Sequence, residues 1–193
     1  GATLRYAHLE GATLSLADLQ DADLGHAHLE GAILRQAHLQ GAILRHAHLE
    51  RAILRKARLQ GADLRDAILP GANLERAALQ GADLSQANLE GAIFRLAHLE
   101  GAILRHADFQ TANLRQSFLQ GADLTRATLQ RADLTEANLR DADLTSADLR
   151  DAIGLTERQL CTVKTLYQAH IDPPLLAHIR AKYPHLLEEP ASR

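Results

Sequence analysis

Residues 82–89 read Ala82-Asp83-Leu84-Ser85-Gln86-Ala87-Asn88-Leu89, nearly two copies of a five-residue unit A-x-L-x-x. Working outward in both directions, the unit never breaks step. Every fifth residue from Ala2 to Ala152 is Ala, with Ser117 the single departure in 31 positions. Two residues after each Ala stands Leu, from Leu4 to Leu149, replaced only by Phe94 and Phe109. A period of five suits neither regular element. On an α-helix each step of five rotates by about 140°, so the leucines would spiral around the axis and leave no apolar stripe. On a straight strand the odd step would flip each unit to the opposite face. The pattern closes only if the chain turns a corner in every unit, with Ala and Leu inward and the other three residues outward.

A second rhythm predicts how the corners close. Gly opens alternate units (Gly61, Gly71, Gly81 and Gly91 among them), and Arg tends to follow one Leu and Glu or Gln the next. At twenty residues the match sharpens: Gln20, Gln40, Gln60 and Gln80 align, as do Glu10, Glu30 and Glu50. Four units per coil would stack these identical residues in a solenoid. With coils about 4.8 Å apart, about seven and a half coils make a rod on the order of 36 Å long.

Composition agrees. The 193 residues are 46% apolar but only 3% aromatic, with no Met or Trp, so the interior must be built from Ala and Leu. A narrow tube has no volume for a second large side chain per edge, which accounts for the Ala column. Cys161 is the only cysteine, which excludes an internal disulfide framework and fits a reducing, cytoplasmic setting. A net charge of −3 argues for neither a nucleic-acid nor a membrane-surface partner. No apolar run approaches the ~20 residues that cross a bilayer. The chain opens at Gly1 in mid-pattern, which reads as a piece of a longer protein.

The run A-D/N-L-x-x resembles the pentapeptide repeat family over residues 1–153. The resemblance implies an all-β solenoid, a right-handed quadrilateral β-helix, with the central Leu and the preceding small residue inside. Beyond the repeats, residues 165–172 and 183–188 resemble segments that commonly follow bacterial pentapeptide repeats. Residues 154–193 are expected to form a C-terminal helical cap of two short helices. Thr156 and Gln159 have capping-box spacing, and Leu160, Val163 and Tyr167 come next on one helical face. Asp172-Pro173-Pro174 reads as a second helix start, Asp as N-cap, ended by Pro184. The same segment could instead serve as a homodimer contact.

Candidate sites are few. His26, His28, His46 and His48 are predicted to crowd one corner, with His8 below; imidazoles suit Zn, Ni or Cu. Loose outward ladders rarely give a fixed tetrahedral site, so solvated histidines are the expectation. Stacked imidazoles should also repel when protonated and so titrate low. Asp and Asn before the central Leu are expected to bond backbone at the corners. Ser117 should satisfy its hydroxyl on a nearby carbonyl. No catalytic set and no cofactor motif rises above the repeat. Outward Ile33, Ile53 and Ile93, with Asn73 interrupting, form one column, which reads either as a partner surface or as β-branched residues that simply suit strand positions. The reading is a non-enzymatic scaffold for an unknown protein partner. Its rival is a DNA-mimicking inhibitor or protection protein acting on a topoisomerase such as gyrase. Positions 1–150 hold 16 basic against 19 acidic residues, which weakens mimicry because the field would have to carry it.

Overall fold

A computed structural model describes residues 1–190. The last three residues of the expected 154–193 cap lie outside the described residues. From Thr3↔Asp23 to Asp133↔Ile153, every bridge is parallel and joins residues twenty apart, so four units complete one coil. Each edge contributes a single bridging residue, because the next corner interrupts any longer strand. Across that residue the ladder is regular: Leu24 N–H donates to Ile43 O at 2.7 Å and Ile43 N–H to Ala22 O at 2.9 Å.

The corners are tight turns. Ala27 N–H donates to Leu24 O at 3.0 Å, and His26 between them has φ +58°. A positive φ at the third turn position is the type II geometry. Glycine takes that position at alternate corners, as at Gly61 (φ +64°). The remaining corners place ordinary residues there, such as Gln86 at +62°, each at a cost of about 1–2 kcal/mol. The inward assignment is visible in burial: Ala57, Leu59, Ala77 and Leu79 are all at 0% exposure. Phe94 and Phe109 fit the same tube by meeting edge to face, with centroids 5.5 Å apart at 61°. Buried Ser117 donates its hydroxyl to Leu114 O at 2.7 Å, as expected.

The register stops at Gly154, which stands where a Leu would fall. A Cβ there would meet Thr135 Cα at 2.7 Å, and its φ is +72°. The capping box forms, but α1 (Glu157–Leu160) is one turn long. The helical face expected from Leu160 to Tyr167 does not form, because residues 164–171 rejoin the coil. Thr165 pairs with Asp143 and His170 with Asp148. Leu166 is buried, Gln168 turns the corner at φ +56°, and Ile171 is buried next. This is the repeat itself, L-x-x-A-x-I, resumed two residues out of step, and Val163 and Leu160 fill the insertion beneath it. The chain then enters α2 (Pro173–Lys182) with both prolines in its first turn. Asp172 stands at the N-cap but makes no side-chain cap bond. Its carboxylate instead accepts from Asp151 N–H at 3.2 Å. A 3-10 turn, Pro184–Leu187, folds back so that Leu186 O accepts from Leu166 N–H at 2.6 Å. Among the described residues, no helix is long and apolar enough to cross a membrane.

Candidate functional site

Stacking the corners makes four ridges along the rod, and the ten-residue alternation assigns them. Arg follows Leu on two opposite ridges; Glu or Gln follows it on the other two. The two Arg ridges then diverge. On one, each guanidinium finds an Asp eighteen residues on: Arg45 Nε–Asp63 Oδ2 and Arg105 Nε–Asp123 Oδ2 are both 2.5 Å. These Asp residues also accept from backbone, as Thr125 N–H to Asp123 Oδ1 at 3.0 Å, which is the corner role expected of them. Burial pushes the Asp123 carboxyl up, but the bonds from Thr125 and Arg105 outweigh it and hold it below its ordinary range.

On the opposite ridge the residue eighteen on is Ile53 for Arg35, Asn73 for Arg55 and Asn113 for Arg95. The predicted isoleucine column is real in register, running Ile33↔Ile53↔Asn73↔Ile93 over successive coils. All three isoleucines are half-buried. Sequence reading missed that this column replaces the carboxylates that would neutralise the neighbouring arginines. Glu75, only 12% exposed, bridges Arg55 (3.2 Å) and Arg95. Among the described residues, exposed Arg35, Lys56 and Arg76 have no carboxylate within ion-pair distance. A shallow hollow opens between Arg35, Gln36, Arg55 and Lys56.

The histidines expected at one corner stand in two separate stacks. Tyr6, His26 and His46 stack along a ridge, with centroids 4.9 and 4.8 Å apart. His8, His28 and His48 stack on the adjoining face at 4.8 and 4.9 Å. Tyr6 was legible as the residue twenty before His26. The second stack has acidic company two residues on: His8 Nδ1 lies 2.8 Å from Glu10 and His28 Nδ1 3.2 Å from Glu30. His28, Glu30 and His48 each offer a ligand atom within 4.8 Å of the others. Their imidazoles are nearly parallel (14°), so the in-plane lone pairs do not converge on a point ~2.0–2.1 Å from each, as a metal requires. Titration is also not uniform. Burial, then His46 and Arg5, lower His26 as expected; the hydrogen bond to Glu10 raises His8, which corrects the expectation for that residue.

Parallel coils, inward Ala and Leu, and a turn at every fifth residue define a β-helical repeat protein. The family profile "Pentapeptide repeats" matches in eight copies over residues 1–36, 32–69, 57–95, 92–131 and 119–153, and the chain belongs to that family. A search of curated protein sequences finds no match. Among solved structures, the chain is similar to HetL, a pentapeptide repeat protein involved in heterocyst differentiation regulation from the cyanobacterium Nostoc sp. strain PCC 7120. The two are 41% identical over 78% of this chain and 73% of HetL, with a TM-score of 0.39. QnrB1, a plasmid-mediated fluoroquinolone resistance protein, is 20% identical over 88% of this chain and 84% of its own, and its TM-score of 0.60 shows a shared fold. A pentapeptide repeat protein from the thylakoid lumen of Arabidopsis thaliana is 31% identical over 55% of this chain and 71% of its own, with a TM-score of 0.32.

Proposed function

We propose that this chain is a non-enzymatic scaffold: a right-handed, square-sectioned β-helix that holds another protein against the face carrying Ile33, Ile53 and Ile93. The observation that carries the reading is the isoleucine column itself, three aliphatic side chains in coil register on the outside of a tube whose interior is already full. Half-buried aliphatics on a rigid frame cost little ordering entropy when a partner covers what remains open of them. The histidine stacks are solvated surface in this reading, and neither metal nor cofactor takes part. Residues 154–193 cap the rod, with the 164–171 segment covering the last coil, and the single free cysteine suits a cytoplasmic setting.

The competing reading is mimicry of DNA against a topoisomerase. It draws on the fold shared with QnrB1; the arginine ridges count against it, because a mimic must present an acidic field. Two experiments test the proposal. Capture from the source cell with the intact chain and with the Ile33→Ser/Ile53→Ser/Ile93→Ser variant should yield a partner that the variant loses. A gyrase supercoiling assay should show no inhibition; potent inhibition would establish the rival instead.

A further inference from the structure

We infer that the ridge beside the isoleucine column recognises an acidic polypeptide segment, extended along the rod, in which apolar residues alternate with Asp or Glu. The inference rests on the scaffold reading and adds the chemistry of the partner. The overall charge of −3 hides this surface. From Arg35 to Arg115 the ridge carries Arg35, Arg55, Lys56, Arg76, Arg95 and Arg115 against one carboxylate, Glu75. Glu75 holds two guanidiniums with one charge, so that group keeps a net positive charge. Only Arg115 has an acidic partner of the i+18 kind, Asp133 at 3.3 Å. The opposite Arg ridge is balanced by its Asp column, so the excess belongs to one side of the rod.

Geometry favours a peptide strand over other anions. Stacked rings set the coil spacing at 4.8–4.9 Å, so the four steps from Arg35 to Arg115 cover about 19 Å, the length of about six extended residues. Side chains of such a strand point alternately to its two sides. One set would meet the isoleucine column and the other the cations two residues away on each coil. A nucleic acid would leave the isoleucines unused, and neither the ridge nor the column carries an aromatic ring on which a base could stack. A bilayer is no better served, because half-buried isoleucines cannot insert.

The test is fluorescence anisotropy with a labelled peptide of alternating Glu and Val, at low and at physiological salt. The intact chain should bind it, more weakly as salt rises. Arg35→Glu/Lys56→Glu/Arg76→Glu should weaken binding at least about tenfold. The charge-matched control Arg51→Glu/Arg126→Glu/Arg131→Glu, exposed residues on other ridges, should stay within about twofold. Circular dichroism establishes that both variants fold. No binding, equal loss in both variants, equal binding of a plain poly-Glu peptide, or preference for a DNA duplex or phosphatidylserine vesicles would each overturn the inference. Its failure separates from that of the scaffold reading: a cellular partner lost on Ile→Ser substitution but indifferent to charge reversal leaves the scaffold standing and removes the acidic partner.

Discussion

Gln159 closes the place where the solenoid ladder fails, and its removal should be felt well beyond α1. Along the rod the inward Ala carbonyls accept from a backbone N–H of the next coil, as Ala132 O from Ile153 and Ala142 O from Lys164. At Ala137 the insertion has carried that backbone away. The Gln159 amide substitutes, donating to Ala137 O at 3.1 Å and to Leu134 O at 2.8 Å. Its Oε1 meanwhile accepts from Thr156 N–H at 3.0 Å to complete the capping box. In Gln159→Ala, Leu134 O keeps its bond from Ala137 N–H, but Ala137 O is orphaned. The Thr156 hydroxyl keeps its bond from the backbone N–H of residue 159, so only the reciprocal half of the capping box is lost, at about 0.5–1 kcal/mol, and the orphaned carbonyl costs about 1–3 kcal/mol. The cleft lined by Thr135, Asn138 and Thr162 admits water, which puts the sum near ~2 kcal/mol. The midpoint should drop by roughly 4–8 °C if the chain melts as one unit. Because coils contact only their neighbours, hydrogen exchange should accelerate first at residues 134–139. Gln159→Glu keeps the acceptor and removes the donor, so it should be no better than Ala. Superposable melting curves with unchanged exchange in both variants would refute the reasoning.

Gly154→Ala should destabilise more sharply than an ordinary surface change, since its Cβ would lie 2.7 Å from Thr135 Cα at φ +72°; thermal melts check it. In an NMR titration, His26 should titrate below a free histidine and His8 above it. His26 therefore loses stability for the fold as pH falls below about 6.5, whereas the contribution of His8 is complete below that value and lost as pH rises through its raised pKa. Reversed order would contradict the assigned neighbours. Calorimetry with Zn should show only weak binding; tight binding abolished by His28→Ala and His48→Ala would mean the stacked rings turn to converge. A chain ending at Ile153 uncovers the carbonyls of Ala142 and Ala147 and should associate by light scattering while keeping its β-type circular dichroism. If that chain stays monomeric and the intact one is dimeric, the tail is an interface and not a cap.

Most of the rod was legible because its cause is local: one small and one large apolar residue per unit force a corner, and identical residues at twenty force the coil. Three things escaped. The return of the repeat at Leu166, Ala169 and Ile171 was hidden by a two-residue slip, and the capping box of Thr156 and Gln159 made a longer helix look natural. The positive φ at residues such as Gln86 leaves no composition signal, because glycine marks only alternate corners. The isoleucine column was seen without the cations beside it. That link appears only when residues eighteen apart are compared, Arg45 with Asp63 but Arg35 with Ile53, and that spacing acquires meaning once the coil length is known. The histidine cluster was overdrawn for a related reason: residues flanking an inward Ala27 lie on different faces of the corner.

The central claim is that each unit commits Ala and Leu to the interior and turns the other three residues outward. Adjacent residues Arg76 and Ala77 test it most directly. Arg76 is exposed at a corner with φ +57°, and Ala77 is at 0% exposure. Thermal melts of Arg76→Asn and Ala77→Phe should differ widely. Asn accepts the left-handed corner and should leave the midpoint unchanged. Phe must force a filled tube, at about 1–3 kcal/mol or more. Equal midpoints for the two variants would contradict the inward and outward assignment on which the fold and the proposed surface both depend.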